Sequence, residues 1–517
     1  MQTVSGPGEF SVEYAKTIVI GDLHGDLHAL LLSLAYRGLI HYEGDPDSIG
    51  ALIVAHQGSE YCSALNEMVA SQDIPVRLVF LGDLLDRYPF GYHILRFLQC
   101  VDWQAKNIEL VTVMGNHDIH NLHFFTNPFM AHHIYSESDH SADARAAFIC
   151  HMGLLDSLEG FRELHGAEIM ALQRQFYEEG RLEWDLGYGK LTLNYDRDLS
   201  KLASYSGSDW KDVAVFCHQM SKHFGLSTNP QSDTPLEDFL EALGRYEGPL
   251  MEYNPFFLGL TGSCDATYGD GYEPRLLCYN LFYEGDGIEE VKGLIPVDWR
   301  LISLVWRKYY GSFYRRFNLV FLDDETLYVH GGLSPRTMID SMGFGIIYRM
   351  AEQDFASQNE IGLPAKDLVH RINRLAGQIV ENVLNDYSFK SLSGTEIFDV
   401  IGSCRGGERG FAQFGGFFWS DFNFLQMAVT RYDLIELYRR FVQATGIRRV
   451  ICGHTRFEDP FDDDTRYLQL EELKKAGMDY ICIDNSCSKG YRGRSLICGI
   501  EINERGVILD QGKFTTW

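Results

Sequence analysis

The sequence predicts an α/β protein with a layered core, on two observations. Five times along the chain, a short β-branched and apolar run closes on glycine plus a polar residue. Runs of that kind read as buried strands ending in loops. Helix-like stretches, Leu27 to Leu39 and Tyr92 to Cys100, lie between the first of them, so strand and helix alternate. Ligands of such folds sit beyond the carboxyl ends of the strands. The five polar loops should therefore converge on one rim.

The runs are these. Lys16 to Ile20 leads into Gly21-Asp22, and Val76 to Leu81 into Gly82-Asp83. Ile108 to Met114 leads into Gly115-Asn116-His117-Asp118. Thr326 to Val329 leads into His330-Gly331-Gly332, and Arg448 to Cys452 into Gly453-His454. Two regions break the rhythm. About 210 residues separate His117 from His330, with helical patterning at Ala142 to Leu155, Phe161 to Glu179 and Pro235 to Arg245, and a Gly- and Tyr-rich stretch near Tyr268 to Tyr283. The second gap, Arg336 to Gly416, holds a helical pattern at Lys366 to Leu384. The expected organisation is one core in three parts, residues 1–125, 301–335 and 411–517. A mainly helical insertion (126–300) and a second helical insertion (336–410) would interrupt it.

The bulk properties fit a large folded protein. The 517 residues are 45% hydrophobic and 13% aromatic, ample for a sizeable core. With 45 basic against 72 acidic residues the formal net charge is −27, which repels nucleic acid and anionic membranes. The 11 cysteines form no CxxC pair and are expected to be buried reduced thiols, pointing to a reducing compartment. The first residues show no basic segment followed by an apolar one, so no signal peptide is expected. No apolar run approaches a membrane span. The expected location is cytoplasmic.

Taken singly, Asp22, His24, Asp83, Asn116, His117, His330 and His454 are each ordinary turn, cap or core residues. Taken together and in order, they supply the carboxylate, imidazole and amide-oxygen ligands of a Zn, Mn or Fe pair. Two close divalent ions need a bridging carboxylate, for which Asp83 is the obvious candidate. His120, His123 and His28 read better as helix-start or solvent-facing histidines than as further ligands. The acidic run Glu458 to Asp464 lacks calcium-loop spacing and reads as a solvated turn.

These blocks resemble the signatures of the PPP family of serine/threonine phosphatases, within the calcineurin-like metallophosphoesterases. The resemblance lies in Gly21-Asp-Leu-His-Gly-Asp26, Gly82-Asp-Leu-Leu-Asp-Arg87, Gly115-Asn-His-Asp118 and Val329-His-Gly-Gly-Leu-Ser-Pro335. It continues in Phe418-Trp-Ser-Asp421 and Cys452-Gly-His-Thr455, and covers about a third of the chain. The resemblance implies a four-layer α/β/β/α sandwich carrying the insertions. It implies one metal held by Asp22, His24 and Asp83, and another held by Asp83, Asn116, His330 and His454. Manganese is the first choice, with Fe, Zn or Mg as alternatives. It further implies that His117 is the general acid, that Asp86 holds it protonated, and that Arg87 clamps phosphate oxygens. Metal-bound hydroxide would attack a phosphomonoester, first a phosphorylated serine or threonine and then tyrosine, with the insertions as arms for substrate or a protein partner.

Departures leave other readings open. Asp118 stands where the protein phosphatases usually have Glu. No second phosphate-binding arginine follows Ser420-Asp421 at the family spacing, and Arg409, Arg431 and Arg456 are unassigned candidates. The loop Ser486 to Arg494 reads as an ordinary turn or as a phosphate contact. The GHT form of the last block fits a hydrolase of dinucleoside polyphosphates or another small phosphoester. A binding protein on a dead phosphatase scaffold is the alternative from another class, opposed by the intact ligand set. The insertions also resemble those of bacterial effector phosphatases, which leaves secretion into a host cell open.

Overall fold

A computed structural model describes residues 14–42, 59–126, 154–178, 256–261, 275–283, 291–333, 365–385, 432–454, 467–484, 488 and 495–509. In chain order the strands are β1 (Lys16–Ile20), β2 (Val76–Phe80), β3 (Ile108–Thr112), β4 (Phe256–Thr261), β5 (Arg275–Tyr283), β6 (Val291–Asp298), β7 (Val320–Asp323), β8 (Thr326–Val329), β9 (Arg449–Cys452), β10 (Leu468–Gln469), β11 (Asp479–Cys482) and β12 (Ile500–Asn503). The helices are α1 (Leu27–Tyr36), α2 (Ser59–Met68), α3 (Gly91–Cys100), α4 (Asn116–Thr126), α5 (Leu154–Glu178), α6 (Trp299–Tyr314), α7 (Ala365–Asn385) and α8 (Tyr432–Thr445).

One sheet runs in the order β12-β1-β2-β3 and another in the order β10-β11-β9-β8-β7. In the first sheet β1, β2 and β3 are parallel. In the second, β8, β9 and β11 are parallel. Alternation along the strands makes the layers. Ile18, Ile20, Leu78 and Phe80 belong to the cluster shared with helix residues such as Leu30 and Leu95. Their neighbours Val19, Val79 and Val111 belong to a separate cluster that also takes Tyr328, Ile451 and Ile481 from the second sheet. Side chains of opposite parity thus face a helix layer or the other sheet. This is the expected α/β/β/α sandwich.

The stretch expected as a mainly helical insertion is corrected in part. It contains α5, but it also contains the antiparallel sheet β4-β5-β6. The first residues of the Gly- and Tyr-rich stretch near Tyr268 to Tyr283 lie outside those described, and its second part is the middle strand of this sheet, Arg275–Tyr283. Its run of Leu, Tyr and Phe suits a pleated surface better than a helix. Helix α7 falls where the second insertion was expected to be helical. The helical patterns at Ala142 to Leu155 (save its last residues) and Pro235 to Arg245 lie outside the described residues.

The thiol expectation also needs correction. Cys452, Cys482 and Cys498 are buried free thiols. Cys62 of α2 and Cys100 of α3 instead form a disulfide, with Cα atoms 4.8 Å apart. The two lie 38 residues apart, with nothing local to mark the pairing.

Two outcomes follow from this packing. Ile451→Ala empties a site between the sheets and should cost about 2–5 kcal/mol in urea denaturation. Val507→Ala, at an exposed position, should cost less than about 0.5 kcal/mol; equal losses would contradict the layer assignment. His93 and His165 are buried, and burial, aided by Arg96, pushes each down to about 3. The unfolded chain, with His near about 6.5, binds more protons between those values, so stability should fall as pH drops through that window. His93→Phe should lessen the slope, and an unchanged slope would count against His93 as its source.

Candidate metal centre

The site is built at the carboxyl ends of the parallel strands. Asp22 and His24 follow β1, Asp83 to Arg87 follow β2, and Asn116 and His117 follow β3 as the first residues of α4. His330 follows β8 and His454 follows β9. The loops are tied to each other through backbone bonds. The amides of Leu23 and His24 donate to the Asp83 carbonyl at 3.0 and 2.8 Å, and the Gly453 amide donates to the His330 carbonyl at 2.8 Å.

The backbone here is strained. Seven non-glycine residues among those described have positive φ, and His24 (45°), Asp83 (50°), Asp86 (72°), Arg87 (61°) and His454 (65°) are five of them. Such conformations persist where surrounding structure enforces them, and they gather at functional sites. Two glycines provide the room. Gly82, at φ 101°, lies against the backbone of Gly115, and Gly115 lies against Asp83. A Cβ at either would collide with the neighbouring loop.

Ligand atoms converge in two groups. The donor atoms of His24, Asp83 and His117 lie within 4.8 Å of one another, and so do those of Asp83, His330 and His454. Asp83 is common to both. Asn116 Oδ1 borders the second group, 2.8 Å from His330 Nε2 and 3.0 Å from His454 Nδ1. Asp22 Oδ1 lies 3.8 Å from His330 Nδ1, and its Oδ2 accepts the His454 amide at 2.8 Å. The geometric grouping therefore takes His117 into the first cluster, beside His24, where the resemblance implies Asp22. His120 and His123, buried on α4, join neither group.

The donor chemistry fits divalent cations. His330 Nδ1 donates to the Leu81 carbonyl at 2.9 Å, so in the neutral imidazole Nε2 is the lone-pair nitrogen. That nitrogen faces Asn116 Oδ1 at 2.8 Å and Asp83 Oδ2 at 3.4 Å, both acceptors. Acceptors turned on one another inside a protein call for a cation between them. Protonation trends agree. Burial, then His117, lowers His24 well below its usual range; burial, then His330, pushes His454 down to about 3. Burial works to raise Asp83, but the charges of His330, His117 and His24 outweigh it and hold the carboxyl well below its usual range. Neutral imidazoles and an ionised carboxylate are the ligand forms; His330 departs from this, because Asp83 outweighs burial and raises it. Asp22 goes the other way: burial raises it, and Asp484 and Asp83 add repulsion. A nearby cation would relieve that conflict.

Beside the clusters, His117 Nδ1 lies 3.0 Å from Asp86 Oδ2, both groups fully buried. The His117 amide, one of the unpaired donors of the α4 N-terminus, donates to Asp83 Oδ1 at 2.8 Å. Arg87 is half-buried. Its guanidinium lies close enough to His24 and His454 to oppose their protonation.

Sequence reasoning missed four residues. Asp118 accepts the amides of Asp83 and Gly115 on Oδ2, both at 2.9 Å, and that of Leu84 on Oδ1 at 3.1 Å. Burial, then Asp83, pushes Asp118 up to about 8. Asn121 and Ser157 both donate to Asp86 Oδ1. Asn121 sits one helical turn from His117, a spacing that could have flagged it; Ser157 carried no signal. Asp484 is buried near Asp22, and its position after β11 was visible. Phe418 to Asp421, the acidic run Glu458 to Asp464, and Arg409, Arg431 and Arg456 lie outside the described residues, as does nearly all of the Ser486 to Arg494 loop.

Residues 15–197 match the family model of the calcineurin-like phosphoesterases. The match spans about a third of the chain and supports a metallophosphoesterase fold there; that family uses divalent metals. No curated protein matches the sequence. A crystal structure of the cold-active protein-tyrosine phosphatase of a psychrophilic Shewanella sp. aligns over 96% of this chain and 80% of its own, at 14% identity and a TM-score of 0.35. A second structure of a cold-active protein tyrosine phosphatase covers 96% of this chain and 78% of its own, at 13% identity and a TM-score of 0.36. Likeness at that level carries no argument about substrate. Among the described residues, no helix is long and apolar enough to cross a membrane.

If Asp118 aligns the ligand loops, Asp118→Asn turns an NH2 group toward amide donors and should weaken Mn²⁺ binding about 10–100-fold. Calorimetric titration of the purified protein measures this, and unchanged affinity would sink the alignment role.

Proposed function

We propose that this protein hydrolyses phosphomonoesters with two divalent cations, Mn²⁺ first, and that its substrate is a phosphorylated protein side chain, serine or threonine before tyrosine. One observation carries the reading. Asp83 is shared by both ligand clusters, and the His117–Asp86 pair stands next to it. Asp22, His24 and Asp83 would hold one cation; Asp83, Asn116, His330 and His454 would hold the other. When bound, the cations would lower the pKa of an attacking water and neutralise phosphate charge.

The chain's own groups do the rest. Arg87 binds two phosphate oxygens with its planar fork. The water oxygen bonds to phosphorus as the bond to the leaving oxygen breaks. His117 gives its Nε2 proton to that oxygen, so an alcohol departs. A proton from the attacking water restores the imidazole, and inorganic phosphate remains. Asp86, bonded to Nδ1, keeps the imidazole oriented with Nε2 toward Asp83 and His24.

The GHT form of the last ligand block, Cys452-Gly-His-Thr455, supports a second reading, hydrolysis of a dinucleoside polyphosphate. Phosphate release with added Mn²⁺ from phosphoserine, phosphothreonine and phosphotyrosine peptides and from a dinucleoside tetraphosphate separates the two. A peptide should win. Asp83→Asn should abolish turnover, and His117→Asn should lower kcat far more than it raises KM. Preference for the dinucleotide would move the function to nucleotide hydrolysis. Full activity in either variant would overturn the site assignment. No release from protein that holds its metals would revive the binding-protein reading.

A further inference from the structure

Asp86 is held by more than His117. Its Oδ2 faces His117 Nδ1 at 3.0 Å, and its Oδ1 accepts the Ser157 hydroxyl at 2.6 Å and the Asn121 side-chain amide. The Asp86 amide in turn donates to Ser157 Oγ at 3.1 Å. One hydroxyl therefore grips the backbone and the carboxylate of the same residue, and both partners are fully buried. Asp86 sits at φ 72°, a conformation that a non-glycine residue keeps only under restraint.

Ser157 belongs to α5, outside every ligand block, and α5 is seated closely on the catalytic loop. A Cβ on Gly160, three residues further on, would collide with the Pro89 carbonyl. Phe161 packs edge-on against Tyr92 at 5.3 Å and against Phe125 at 4.9 Å, between ring centroids. The helix has small residues where it meets the 86–89 loop and large ones where it meets the core. Such packing leaves the hydroxyl little freedom to move.

We infer that Ser157 is a positioning residue for proton transfer: it occupies Asp86 Oδ1, so that Oδ2 is aimed at His117 Nδ1 and the imidazole presents Nε2 to the leaving oxygen. An ionised carboxylate accepts only. With both donors on Oδ1, the bond left for the imidazole is on Oδ2, and its direction is set. The inference rests on the phosphomonoesterase reading of the site. It adds that a helix from the 126–300 stretch, not only the ligand loops, tunes the chemical step.

The test compares kcat on phenyl phosphate, whose leaving group needs a proton, with kcat on p-nitrophenyl phosphate, whose leaving group needs it much less. The ratio within one preparation is independent of how much protein is folded. In Ser157→Ala the ratio of phenyl to p-nitrophenyl turnover should fall about 10-fold, part of the roughly 10²–10⁴ that general acid catalysis supplies, while KM changes little. Should Ser157→Ala fail to fold, Asn121→Ala removes the other donor to the same oxygen and should lower the ratio likewise. An unchanged ratio in the folded variant, with wild-type protein active on both esters, overturns the inference and leaves the parent reading intact. Wild-type protein inactive on both esters overturns the parent reading, and this inference with it.

Discussion

The Asp83 carboxylate is a negative charge placed almost out of reach of water, 1% exposed. A bare buried carboxylate costs several kcal/mol or takes up a proton. Here every polar atom of the residue is used, by segments that follow β1, β3 and β8. The carbonyl accepts two amides from the loop after β1. The amide donates to Asp118, and Oδ1 accepts the His117 amide. Oδ2 lies 3.4 Å from His330 Nε2 and 3.7 Å from His24 Nε2. One residue thus joins the ends of β1, β2, β3 and β8. Its burial also demands a positive partner: burial holds His24 and His454 low, and at His330 Asp83 outweighs burial and raises the imidazole. Cations answer both demands together.

Holding that residue requires backbone that does not relax. The five site residues at positive φ cost on the order of 1–3 kcal/mol each. The sandwich beneath them supplies the restraint. Val19 and Ile451 face each other's sheet while Ile20 and Cys452 face helices. A one-residue slip of any strand would exchange those faces. Register is therefore fixed by burial on both sides, and the loops leave the strands at set points. Gly82 and Gly115 then let two of those loops pass in contact. The strained ligand geometry and the two-faced core are one design: the first needs the rigidity that the second provides.

That division explains what was legible in the sequence. The ends of Lys16–Ile20 and Thr326–Val329 read as observed because each run is apolar to its last residue and then breaks at once. Asp22, Asp83, Asn116, His330 and His454 were legible for the same reason: each lies within three residues of a strand end or opens the next helix. What sequence did not show depends on distant pairing. Ser157 meets Asp86 across 71 residues and Asp118 meets Asp83 across 35, with no local pattern for either. Asp118 was noticed only as a departure from Glu. Its role emerged when the amides of Asp83, Leu84 and Gly115 were seen to end on it. The sheet β4-β5-β6 was not legible because its strands pair with one another and none runs directly into a glycine followed by Asp, Asn or His.

The hydrogen bonds behind His117 have a direction as well as a place. Trp306 Nε1 donates to the Tyr92 hydroxyl at 2.6 Å, and that hydroxyl donates to Asn121 Oδ1 at 3.0 Å. Indole nitrogen donates only, so Tyr92 is left to donate onward. Asn121 must then turn its NH2 toward Asp86, which settles the orientation of an otherwise ambiguous amide. Burial raises Tyr92 well above its usual range, which keeps the phenol protonated and the direction fixed. Every donor in the series points toward Asp86, and Ser157 adds another from α5. The donors converge on Asp86 Oδ1, and His117 Nδ1 faces Oδ2 at 3.0 Å. The orientation of the Asn121 amide against Asp86 is thus decided by an indole nitrogen on α6, three side chains from Asp86.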